Sequence, residues 1–115
     1  MLTHQRFCEL EEFAAKQLIE YGQSPQRVVL SLARQYPEVA GLTIAFALTS
    51  IAHHLERPLV ANNPQPLPKP IDIYRAISLL SSDLFELHVN QKTTASGADL
   101  VELWKRNSEE FFCAR

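Results

Sequence analysis

The seventeen residues from Val39 to Leu55 carry no formal charge and are bounded by Glu38 and Glu56. Placed on a helix at about 100° per residue, they are apolar over most of the circumference, which calls for cover from neighbouring helices. Val39, Leu42, Phe46, Thr49 and His53 fall along one side, and Ile44, Leu48, Ile51 and Leu55 along the other. Gly41, Ala45 and Ala52 form a strip of small side chains through which another backbone can come close. Only Thr43, Ser50 and His54 make a polar wedge. The pattern predicts a central core helix over 39–55, with Leu42, Ala45, Phe46, Leu48 and Ala52 almost fully buried. A membrane span would need roughly twenty apolar residues, and Glu38 and His53 stand too close together for that.

The flanking segments read as a jacket of four more helices. The first runs from about His4 to Tyr21, with Thr3 as its cap and Phe7, Leu10, Ala14, Leu18 and Tyr21 as its apolar stripe. Gly22 is placed to end it in the left-handed conformation. Ser24-Pro25 begins a short second helix, where proline at the first position loses no hydrogen bond. Val29, Leu32, Ala33 and Tyr36 form its buried face, and Pro37 is expected to open the central helix.

Beyond Arg57 the composition changes, because five of the seven prolines lie between Pro58 and Pro70. Alternation at Pro64, Pro66, Pro68 and Pro70 favours an extended spacer at about 3.1 Å per residue, on the surface or against a neighbouring subunit. The prolines are not spaced three apart, as an SH3-type ligand requires. Such a spacer reaches roughly 30–40 Å, so the third and fourth helices need not form an antiparallel hairpin.

Asp72 is expected to cap the fourth helix, which runs to about Val89 with Ile73, Ile77, Leu80, Leu84 and Leu87 as its stripe. Tyr74 and Phe85 lie to one side of that stripe and Leu79 to the other, giving the helix more apolar surface than one core face uses. Ser96 and Asp99 form a box-like start for the fifth helix. Its inner face holds Leu100, Leu103, Trp104 and Phe111, and its outer face Glu102, Lys105, Arg106 and Glu109. The whole reads as one all-α domain over residues 1–115, a compact bundle of about five helices.

Charge narrows the functions. Eleven basic and thirteen acidic side chains give a net charge of −2. The balance is +4/−4 through Tyr36, +2/−3 from Pro37 through Asp72 and +5/−6 beyond. No basic face points to nucleic acid. A helix-turn-helix over the second and third helices fails because the second of the pair presents Leu42, Ile44, Phe46 and Leu48 and has no Lys or Arg before Arg57. The start of the chain carries no secretion pattern, so a cytoplasmic location is expected, with Cys8 and Cys113 as free thiols. A disulfide between them would require the first and fifth helices to be neighbours in an oxidising compartment.

Catalytic patterns are sparse. Three glycines cannot build a phosphate-cradling loop. His4, Cys8 and Glu12 share a helical ridge, although on a terminal turn they read as solvated polar side chains rather than as an activated thiol. His53, His54 and Glu56 could face a metal or small ligand, yet no Glu-x-x-His pattern of a metal-binding bundle occurs. Histidines at a helix C-terminus are also favoured by the backbone dipole. No enzymatic activity, cofactor or membrane association is expected. The expectation is a small interaction or regulatory module that forms a homodimer and binds a partner protein. Its contact residues are expected to be Tyr74, Ile77, Leu84 and Phe85, with a His53/His54 ligand site as the alternative.

Overall fold

The computed structural model describes residues 3–56, 67–90 and 94–106. Its helices are α1 (His4–Ile19), α2 (Pro25–Gln35), α3 (Gly41–Glu56), α4 (Pro70–Val89) and α5 (Gly97–Arg106), so the protein is an all-α bundle. Among the described residues, no helix is long and apolar enough to cross a membrane.

Local sequence explains most helix boundaries. Thr3 Oγ1 accepts from the Arg6 amide at 3.0 Å, and Ser24 Oγ accepts from Arg27 at 3.3 Å, so each occupies an otherwise orphaned N–H. α1 ends at Ile19 rather than Tyr21, because the chain tightens there. The Glu20 and Tyr21 amides both donate to the Lys16 carbonyl, and Gly22 takes a φ of 62°. Tyr21 is consequently exposed and leaves the core stripe. α4 begins at Pro70 with Lys69 as its cap position, three residues earlier than a cap at Asp72 would start it, since proline's fixed φ suits the first turn. Asp72 lies inside that turn, where the helix dipole favours a carboxylate. Of the proline-rich stretch, 58–66 lie outside the described residues, as do Glu109, Phe111 and Cys113; residues 67–69 are irregular.

The start of α3 departs from expectation. Pro37 sits in a turn, and the helix opens only at Gly41. The intervening residues are hydrogen-bonded to the segment before α5. The Gly41 amide donates to Ala95 at 2.7 Å, Gly97 to Val39 at 2.8 Å and Ala98 to Pro37 at 3.0 Å. Ser96 then caps α5 reciprocally: its amide and hydroxyl reach Asp99 Oδ2 at 3.0 and 3.2 Å, while its Oγ accepts from the Asp99 amide at 3.3 Å.

α3 and α4 form the most extensive helix pair, and they are antiparallel. Gly41, at the start of α3, lies against Leu84 near the end of α4, whereas Glu56 at the end of α3 neighbours Tyr74 near the start of α4. Gly41, Ala45 and Ala52 are buried, as the small-residue strip implies. α5 packs on α2 and α4. Leu100, Leu103 and Trp104 enter the core, and the Trp104 indole N–H donates to Asp83 Oδ2 at 3.0 Å. Asp83 is the buried charged side chain among the described residues, at 1% exposure. The bond satisfies both groups, which buried polar atoms require.

Two glycines make close contacts of different kinds. A Cβ on Gly97 would stand 2.7 Å from the Ala33 carbonyl oxygen and 2.8 Å from that of Tyr36, both backbone atoms. A Cβ on Gly41 would meet the tip of the Leu84 side chain, which can rotate away. Gly97→Ala is therefore expected to destabilise the fold by about 1–3 kcal/mol and Gly41→Ala by clearly less. Asp83→Ala, which strands a buried indole N–H, should cost about 1–3 kcal/mol. Urea unfolding midpoints of the three variants check this ranking.

Candidate docking surface

The central helix is not enclosed. Leu42 is 74% exposed and Phe46 61% exposed, contrary to the burial expected for both, although Ala45, Leu48 and Ala52 are buried as expected. The physical reason is coverage: α4 takes the small-residue face and α1 a flank, which leaves a ridge of α3 open. That ridge is Leu42, Phe46, Thr49 and His53, all exposed and spaced four, three and four residues apart. Thr49 Oγ1 donates to the Ala45 carbonyl at 2.8 Å, so its hydroxyl is satisfied within the helix. The ridge is thereby less polar than its sequence suggests.

α1 extends the apolar surface. The Phe7 ring lies 5.6 Å from the Phe46 ring, tilted by 31°, a separation at which aromatic pairs attract. Phe7, Leu42, Thr43 and Phe46 together line a shallow depression. Beside it α1 is tied to the turn before α3. Arg6 reaches Glu38 at 2.6 Å and Glu9 at 3.5 Å, and its guanidinium lies 4.5 Å from the centre of the Tyr36 ring. The hydrogen bond from Arg6 holds the Glu38 carboxyl below its usual range, and Glu38 in turn raises Arg6. Burial pushes the Tyr36 phenol up, opposed by the Arg6 charge.

The contact residues expected on α4 separate into two groups. Ile77 and Leu84 are half-buried and pack against the core, as does Tyr74. The Tyr74 hydroxyl is held above its ordinary range by partial burial and by Glu56. Phe85 is 67% exposed. Because Gly41 abuts Leu84, the antiparallel register sets Leu42 and Phe85 at the same level of the bundle. Leu42 and Phe46 were not expected at the surface, yet the signal was available. The helical wheel aligns them with Thr49 and His53, and two polar residues on one side mark that side as open.

The remaining candidates do not converge on a site. His53 and His54 are both exposed, with ring centres 6.1 Å apart and planes at 54°. No group of three or more His, Cys, Asp or Glu among the described residues is arranged to hold a metal. Cys8 is exposed with its Sγ 3.6 Å from His4 Nε2. It lines a groove between α1 and α3 with Glu11, Glu12, Ile51 and His54. The chain matches no known protein family, and no curated protein or solved structure is similar to it.

Glu38 provides a check on this surface. Its folded pKa is depressed, so the Arg6–Glu38 pair contributes stability above the ordinary glutamate range and loses it as pH falls through the lowered folded value. In Arg6→Gln the Glu38 carboxyl should titrate at higher pH by NMR. The stability difference between wild type and variant should shrink as the solution is acidified.

Proposed function

We propose that the protein is a small non-enzymatic interaction or regulatory module that acts in the cytoplasm, self-associates as a homodimer and docks through the open face of α3. One observation carries this reading: Leu42 and Phe46 stand out from the central helix beside Phe7, forming a contiguous apolar patch. Isolated exposed apolar side chains are ordinary, but clustered ones rimmed by polar groups mark association sites. Two-fold pairing is the commonest closed arrangement. The overall charge of −2, without a basic segment, favours a protein partner over nucleic acid. Phe85, at the same level on α4, would extend the contact, while Tyr74, Ile77 and Leu84 would support it from within.

Sedimentation at micromolar concentration tests this reading. Wild type is expected to sediment as a dimer. Leu42→Asp with Phe46→Asp should remain helical and associate at least ~30-fold more weakly, since losing one aromatic anchor often costs about 2 kcal/mol. Phe85→Asp should weaken the dimer less. A wild-type monomer would overturn self-association, and a double variant that dimerises normally would remove the α3 face from it.

A further inference from the structure

We propose that the occupant of the open face is α3 of a second copy, packed antiparallel across a two-fold axis between Phe46 and Thr49. This rests on the self-association reading and specifies its geometry. The ridge Leu42, Phe46, Thr49, His53 has spacings of four, three and four, which read the same from either end. A two-fold axis through its midpoint maps the ridge onto itself, setting Leu42 opposite the partner's His53 and Phe46 opposite the partner's Thr49. Alternating four- and three-residue steps are those of a coiled-coil seam. In this register each large side chain faces a smaller or flatter one. A parallel pairing would instead stack Phe46 on its own copy.

The exposed area suits an occupant of this size. The ridge carries no fixed charge between its ends. The charged groups at its two ends, Arg6, Glu9 and Glu38 at one and Glu56 at the other, each sum to a formal −1. The seam is only about 17 Å long, so it needs flanking support. Leu42, Phe46 and Phe85 leave most of their surface open, on the order of 100–150 Å² each, with Phe7 adding a part. Such a patch amounts to roughly half of the ~800 Å² that each partner buries in a stable interface, a share typical of an apolar centre inside a polar rim.

Cysteine cross-linking in a Cys8→Ser, Cys113→Ser background tests the register. Chains carrying Leu42→Cys and chains carrying His53→Cys, mixed and oxidised, should yield a disulfide-linked pair, while either variant alone should not. Both positions are exposed, so each variant should keep its wild-type helix content. Self-linking of Leu42→Cys would overturn the antiparallel arrangement. A wild-type dimer lost in the Leu42→Asp, Phe46→Asp variant but without a 42–53 link would overturn this register and leave self-association standing. A wild-type monomer would overturn both and leave the face to another protein's helix.

Discussion

The fold depends on a hydrogen-bonded junction between the turn before α3 and the turn before α5. Amides at a helix start have no partner within the helix, so a buried start needs acceptors from elsewhere. Here the Gly41 amide uses the Ala95 carbonyl, and the Gly97 and Ala98 amides use those of Val39 and Pro37. α2 also ends at this junction, and its last turn comes so near to Gly97 that no side chain fits there. α2, α3 and the sequence-distant α5 are thus fixed by their ends. Arg6 adds α1 by binding Glu38 in the same turn.

With the ends fixed, the small-residue strip decides how α3 faces its neighbours. Gly41, Ala45 and Ala52 let α4 approach closely, and the larger Ile44, Leu48 and Ile51 fill the interior. An apolar helix can be surrounded only if enough helices reach it. In this bundle α2 and α5 pack on each other and on α4, so α3 is left with one unclosed sector. The exposed ridge therefore follows from the packing scheme.

Much of the architecture was legible in the sequence, because caps and periodic stripes are local signals. Thr3, Ser24, Gly22 and the Ser96–Asp99 box act as their residue types imply. What the sequence concealed was non-local. Composition could not show which side of α3 would lack a neighbour, so Leu42 and Phe46 read as core. Nor could it show that Pro37–Ala40 would bond to residues near 96, or that a carboxylate on α4, Asp83, would be buried against an indole from α5. The α4 contact set was half legible for the same reason. Excess apolar surface was visible, but the division between Ile77 and Leu84 inside and Phe85 outside depends on where α3 lies.

The bond between Trp104 and Asp83 has a consequence for optical work on this protein. Trp104 is the chain's one tryptophan, so the intrinsic indole emission comes from a single buried environment. That environment is the packing of α5 on α4, and the indole is no member of the open ridge. Emission should therefore stay constant through rigid association at the ridge and change when α5 separates from α4. A spectral shift on complex formation would signal that binding reaches the interior, distinguishing a bundle that docks as a solid body from one that rearranges.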